Sequence, residues 1–244
     1  MNEQRDLDGL SALVTGATSG IGTAAARQLA RHGAEVIVHG RDLIRGQAVV
    51  DAITADGGKA RFAAADLSNP AELDDLARQA DTVDVLVNNA GVSWFGPTPE
   101  LDVATFGRLF TANVQAPYFL TAALAPKMAA RGSGSIINIG SMAGEIGMPG
   151  GAAYGATKAA LDSMTRSWAA EYSPAGVRIN TVAAGPAYTP IQPEEVAEAV
   201  GATTILARVA QPDEIANVIV FLASPKASYI TGAVIAADGG RAAI

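Results

Sequence analysis

Short apolar runs alternate with longer amphipathic stretches along all 244 residues. SALVTG (11–16), AEVIVHG (34–40), ARFAAAD (60–66), VDVLVNN (83–89), GSIINIG (134–140), VRINTVAAG (177–185) and GAVIAADGG (232–240) read as strands. They are apolar almost throughout instead of alternating, the pattern of strands covered on both faces. Helical periodicity falls between them, near 20–32, 42–56, 70–80, 100–131, 152–173 and 212–223. Strand and helix in alternation predict a parallel sheet with helices on both sides. The stretch 186–208, opening PAYTPIQPEE, carries three prolines in that opening and fits neither period, so it reads as a loop or lid. No repeat, low-complexity segment or polar linker divides the chain, and residues 1–244 are read as one domain.

Composition narrows the picture. Hydrophobic residues make up 49% of the chain and aromatics only 5%, so small aliphatic side chains must fill the interior. The net charge of −7 argues against a nucleic-acid surface, which needs clustered Lys and Arg. With no cysteine there is no disulfide, zinc–thiolate site or thiol nucleophile, and no metal site is identified. The polar start MNEQRDLDGL lacks the apolar core of a signal peptide, and no run approaches the roughly 20 apolar residues of a membrane span. A soluble, cytoplasmic protein is expected.

Candidate chemistry begins at VTGATSGIG (14–22), which joins the first strand to the first helix and sets glycines at 16, 20 and 22. Glycine there lets the backbone turn tightly and approach a pyrophosphate at the positive end of a helix. The spacing is one residue longer than the common G-x-G-x-x-G fingerprint. At the end of the second strand, VHGRD puts Gly40 where an NAD-binding protein usually has a carboxylate. Arg41 follows and suits a 2′-phosphate, which favours NADP(H) over NAD(H). Asp42 reads as the cap of the next helix. Asp66, after the third strand, reads either as a helix cap or as a residue near adenine. The asparagines of VNNAG (87–91) suit satisfying strand-end backbone groups and buttressing the glycine-rich turn.

In AAYGATKAAL (152–161), Tyr154 and Lys158 stand four apart in a helical pattern and so on one face. An adjacent ammonium stabilises a phenolate and draws the tyrosine pKa down from about 10. Taken alone, the pair reads either as a tuned acid/base or as a chance pairing at this spacing.

These pieces, in their order and spacing, resemble the short-chain dehydrogenase/reductase family over nearly the whole chain. They are TGATSGIG, NNAG, Asn113 in TANVQAPY, Ser141 in NIGSMAG, Tyr154 with Lys158, and the tail PDEIANVIVFLASPKASYITGAVIAADGG. The resemblance implies a single Rossmann-type doubly wound parallel sheet of about seven strands with helices on both faces. It implies NADP(H)-dependent hydride transfer between nicotinamide and a ketone or secondary alcohol. Tyr154 would be the general acid/base, Lys158 would tune it and bind ribose, Ser141 would hold the substrate oxygen, and Asn113 would hold a relay water. Cofactor contacts would come from Gly16, Thr18, Ser19, Gly20, Ile21, Gly22, Arg41, Asp66, Leu67, Asn88, Ala90, Tyr154, Lys158, Ala187 and Thr189. Family members bury the helix bearing Tyr154 in a dimer interface. Ala160, Met164 and Trp168 would form its apolar outer face in a homodimer or homotetramer.

Two places depart from the family pattern. Ala184-Gly185 replaces the usual Pro-Gly after the sixth strand, which removes a rigid turn before Pro186. Ser19 stands where NADP-dependent members often have a basic residue, so the phosphate preference rests mainly on Arg41. The substrate pocket is expected from Trp94, Phe95, Glu145, Ile146, Met148 and Ile191, mostly apolar and suited to a hydrophobic ketone or acyl chain. Much of the tail resembles β-ketoacyl-carrier-protein reductases, and that activity stays open as an alternative. So does a non-catalytic cofactor sensor on the same fold.

Overall fold

The computed structural model describes residues 5–244. Met1–Gln4, the first residues of the polar leader, lie outside the described residues. Seven strands form one parallel sheet in the order β3-β2-β1-β4-β5-β6-β7. They are β1 (Ser11–Val14), β2 (Glu35–Gly40), β3 (Lys59–Ala64), β4 (Val85–Asn88), β5 (Gly134–Ile139), β6 (Val177–Ala184) and β7 (Val234–Ala237). The crossovers run through α1 (Gly20–Arg31), α2 (Leu43–Ala55), α3 (Pro70–Gln79), α4 (Val103–Phe110), α5 (Ala116–Arg131), α6 (Ala152–Tyr172), α7 (Glu194–Gly201) and α8 (Pro212–Ala223).

Because side chains alternate along a strand, each strand feeds two cores. Ala12, Val14, Val36, Val38 and Val87 pack against α1, α2 and α8. Leu13, Ile37, Leu86 and Ile136 pack against α3, α5 and α6 on the other face. This double covering explains the unbroken apolar runs. It also forces every strand-to-helix connection to the same edge, the carboxyl end of the sheet.

Two elements differ from the sequence reading. The single helix expected over 100–131 is α4 and α5 joined by a π-helical segment, Thr111–Gln115, which contains Asn113. The segment 186–208 is not wholly loop, because α7 lies within it. Its prolines stop before that helix, and Pro193 serves as the N-cap. A parallel bridge between Ala187 and Ala210 pins the two ends of this segment side by side. The turn expected to loosen at Ala184-Gly185 is held by a bond from the Gly185 amide to the Ala237 carbonyl, 3.0 Å.

The outer face expected of α6 is only partly an outer face. Trp168 is buried within the chain, and Met164 packs on the same core. The indole lies 6.0 Å from the Tyr118 ring. Exposed apolar side chains gather instead on α4 and α5, at Val103, Phe106, Tyr118 and Phe119. No described helix is long and apolar enough to cross a membrane.

Leu86 is fully buried on the central strand, so Leu86→Ala leaves a cavity under α5. Urea unfolding should show a loss of about 2–5 kcal/mol, the range for such truncations. A loss below about 1 kcal/mol would mean that this core face relaxes to fill the space.

Candidate active site

At the carboxyl end of the sheet lies a cleft of about 890 Å³. It spans the point where strand order reverses, between β1 and β4, the place where doubly wound sheets bind ligands.

One wall is the glycine-rich turn. Gly16 and Gly20 have positive φ angles of 63° and 53°, a conformation that L side chains rarely adopt. A Cβ on Gly16 would approach the Ala90 Cα to 2.9 Å, and one on Gly22 would collide with the Gly16 carbonyl. The turn thus opens directly onto α1, whose first turn carries no acidic side chain. The first amides of a helix have no intrahelical acceptor and, with the helix dipole, attract an anion. Behind the turn, Asn89 donates from Nδ2 to the Thr15 and Gly16 carbonyls at 2.8 and 3.1 Å. This is the buttress expected of NNAG, supplied by the second asparagine.

The first asparagine lies elsewhere. Asn88 is buried, donates to Asn138 Oδ1 at 2.8 Å, and is off the cleft wall. Asn138 in turn donates to Thr165 Oγ1 on α6 at 2.7 Å, and Thr165 bonds Thr181 at 2.8 Å. This polar ladder ties β4, β5 and β6 to the helix bearing Tyr154.

Arg41, Asp66 and Leu67 line the cleft past β2 and β3. Arg41 is exposed, with no hydrogen bond or salt bridge to the described residues. Asp42 caps α2, accepting from the Arg45 amide at 3.0 Å and from Arg45 Nε at 2.8 Å. Asp66 caps no helix; Asn69 does that for α3. Asp66 accepts instead from the amide and hydroxyl of Ser68, and these bonds hold its carboxyl below the ordinary carboxylate value.

The catalytic candidates converge on the opposite wall. Ser141 follows β5, its hydroxyl accepts from the Ala143 amide at 3.2 Å, and it acts on Tyr154 to favour the phenolate. Tyr154 and Lys158 share one face of α6, with Lys158 Nζ 5.7 Å from the tyrosine ring centroid. That ammonium is buried and donates to the Ile139 carbonyl at 2.7 Å. Burial lowers its pKa to about 8, opposed by the negative charge of Asp162 one turn along the helix. The tyrosine shift runs opposite to the sequence expectation: burial pushes the phenol up, and Ser141 only partly offsets this. The physical reason is desolvation: taken out of water, the phenolate loses more than the neutral phenol does.

Asn113 is 1% exposed and is not on the cleft wall. Its Nδ2 donates to the Val92 carbonyl (2.8 Å) and Thr157 Oγ1 (3.0 Å), while Oδ1 accepts from the Val92 amide (2.9 Å). Thr157 then donates to the Tyr154 carbonyl at 2.7 Å. By its side chain Asn113 clamps the 92 loop to the turn of α6 that carries the tyrosine.

Trp94, Phe95, Met148 and Ile191 line the cleft, and the Phe95 ring stands 5.4 Å from that of Tyr154. Glu145 and Ile146 do not line it. The short 3₁₀ turn Met142–Gly144 brings Met142 and Ala143 to the wall and carries Glu145 outward into solvent. Thr18, Ser19, Ile21, Ala90, Ala187 and Thr189 all line the cleft. Arg45, Arg108, Gln192 and His39 also line it and were not among the sequence candidates. Of these, His39 had a legible signal, a polar residue inside an apolar strand.

Comparison with known proteins agrees with this geometry. Residues 16–242 match the short-chain dehydrogenase family model described as enoyl-(acyl carrier protein) reductase. Cis-4-hydroxycyclohexanecarboxylate dehydrogenase of Sinomonas cyclohexanicum is 38% identical over 242 residues, covering 96% of each chain. A solved short-chain dehydrogenase/reductase family protein superposes with a TM-score of 0.93 at 50% identity, covering 98% of this chain and 100% of the other. A gluconate 5-dehydrogenase from Burkholderia cenocepacia J2315, solved with NADP and tartrate, gives 0.92 at 29% identity over 99% and 98%. The chain belongs to the short-chain dehydrogenase/reductase family and is an oxidoreductase.

The Lys158 value is open to direct measurement. Following its ε-carbon by NMR against pH should give a midpoint near 8. The ammonium is then lost as pH rises through that value, so any step needing its charge fades on the alkaline side. A midpoint at the ordinary 10.5 would show that burial does not govern this lysine.

Proposed function

We propose that the protein is an NADP(H)-dependent reductase/dehydrogenase interconverting an apolar ketone and its secondary alcohol. The observation that carries this reading is the convergence of Ser141, Tyr154 and Lys158 on one wall of a cleft whose other wall is the glycine-rich turn. The bare backbone at Gly16, Gly20 and Gly22 and the uncapped start of α1 fit a pyrophosphate. Arg41 supports NADP(H), since a planar guanidinium with no hydrogen bond or salt bridge to the described residues suits a 2′-phosphate. The NADP-bound gluconate 5-dehydrogenase supports the same choice by likeness.

When bound, the dinucleotide supplies or accepts the hydride. The chain's residues manage the proton. In reduction, Tyr154 Oη gives its proton to the carbonyl oxygen as negative charge grows there; in oxidation it takes the alcohol proton. Ser141 Oγ donates to the same oxygen and steadies the developing alkoxide. Lys158 holds positive charge beside the phenol and would hold the nicotinamide ribose. Asn113 and Thr157 fix the backbone of Tyr154.

Substrate class follows from the wall around Tyr154. Trp94, Phe95, Met148, Ile191 and Val200 offer apolar surface, which suits an alicyclic or alkyl ketone better than a sugar acid. A homo-oligomer is proposed as well, supported by the exposed Val103, Phe106, Tyr118 and Phe119.

Hydride transfer followed at 340 nm, with cycloalkanones, alkyl ketones and keto-sugar acids offered alongside NADPH or NADH, tests the reading. Turnover should favour NADPH and the apolar ketones, and Tyr154→Phe should abolish it. Arg41→Ala should raise KM for NADPH about tenfold or more, the worth of a charge-assisted bond, and leave NADH unchanged. Equal use of both cofactors by the parent protein would remove the assignment of Arg41.

A further inference from the structure

His39 is the penultimate residue of β2 and is 3% exposed, a lone imidazole following the buried run Val36–Val38. Its ring has a partner at each nitrogen. The Gly16 amide donates to Nδ1 at 3.2 Å, and Nε2 stands 3.1 Å from the Ala65 carbonyl. A peptide N–H can only donate and a carbonyl can only accept, so the chemistry of the partners fixes the ring's state. Nδ1 carries a lone pair, Nε2 carries the proton, and the ring is neutral. The ring therefore bridges the first glycine of the pyrophosphate turn to the backbone just past β3, across the end of its own strand. The His39 carbonyl adds a third tie, accepting from the Ala17 amide at 2.8 Å.

We propose that His39 is a positioning residue for the dinucleotide: its neutral ring holds the glycine-rich turn in binding geometry, and protonation of the ring releases the turn and weakens cofactor binding. The inference rests on the cleft being a dinucleotide site. A protonated ring presents N–H at both nitrogens, so Nδ1 would face the Gly16 amide donor to donor. One bond is lost and a buried cation is left beside it, which costs more than the bond itself. The Gly16 peptide must then rotate, and the turn that it begins moves with it. Two charged groups face the ring: Arg41, on the next turn of chain, opposes its protonation, and Asp66, past β3, favours it. Burial outweighs both and holds the ring below its ordinary 6.5. Since the neutral form is the binding form, affinity is full above the folded pKa and declines as pH falls through it, by up to about tenfold per pH unit.

Two substitutions separate the ring's two bonds. In His39→Asn, Oδ1 stands near the place of Nδ1, so the bond to Gly16 survives without a titrating group. In His39→Gln, the terminal amide reaches the place of Nε2, so the bond to Ala65 survives and the one to Gly16 is lost. Calorimetric titration of NADPH into the full-length protein at pH 7.5 should give His39→Asn a Kd within about threefold of the parent. His39→Gln should be at least about tenfold weaker, although both variants remove one bond and should melt at similar temperatures. Repeating the series down through the ring's own titration, located by nitrogen-15 NMR of the free parent, should raise the parent's Kd relative to that of His39→Asn. The 2′-phosphate titrates in the same range, but it does so in both proteins and cancels in the ratio. Nitrogen-15 NMR of the free parent should show the Nε2–H tautomer at pH 7.5.

Equal Kd values for the two variants, or a ratio that stays flat with pH, would overturn the proposal, as would the Nδ1–H tautomer. Failure of the parent itself to bind any nicotinamide dinucleotide would overturn the functional reading, and the role of His39 with it. That result is distinguishable because it appears before any substitution is made.

Discussion

Covering a parallel sheet on both faces is the constraint from which the rest follows. Parallel strands need long crossovers, and a right-handed crossover lays each helix back on the sheet. All turns that leave a strand carboxyl end therefore gather along one edge. In this chain those turns carry the glycine-rich loop after β1, Arg41 after β2, Asp66 after β3, Asn89 after β4 and Ser141 after β5. Residues more than a hundred positions apart meet because the sheet leaves them nowhere else to go. The strand order then decides where they leave a gap, which lies beside β1 and β4.

Most of the architecture was legible in the hydrophobic pattern, and the reasons are physical. Strands such as VRINTVAA and helices such as GIGTAAARQLAR must satisfy two apolar neighbours or one, and their periods record that demand. What the pattern did not carry was local deviation. The π-helical turn at Thr111–Gln115 has no compositional mark, because inserting one residue into a helix changes register and not polarity. The segment holding α7 was read as loop because its prolines dominate the opening, while EEVAEAVG after them is an ordinary short helix. Within the site, motif spacing located Ser141, Tyr154 and Lys158, but it could not say which side chains point inward. Asn88 and Asn113 are spent on internal bonds, and Glu145 points to solvent; each depends on the direction of a Cα–Cβ vector that only the folded backbone sets.

The interior behind α6 is unexpectedly polar. Asn88, Asn138, Thr165 and Thr181 form a continuous hydrogen-bonded path through an aliphatic core. Such a path contributes little net stability over a well-packed apolar one, but it is directional, and its bonds form in one register. Lys158 and Asp162 lie on the same helix at its two levels, both buried. Sliding α6 by one residue would break the ladder and misplace the lysine together. Precision at the tyrosine is thus secured from behind by groups that never meet a ligand.

The bridge between Ala187 and Ala210 has a consequence for how such a protein changes over time. With its two ends fastened side by side, the intervening chain is a handle held at its base, with a further bond from the Leu206 amide to the Gly239 carbonyl. Lengthening a loop of this kind costs roughly 0.6 kcal/mol for each doubling, far less than a change within either core. Ile191, Gln192 and Val200, which face the cleft, all sit on this handle. Insertions and replacements can accumulate there while the sheet and the proton-handling groups stay fixed. One scaffold can in that way be refitted to many substrates at little thermodynamic expense.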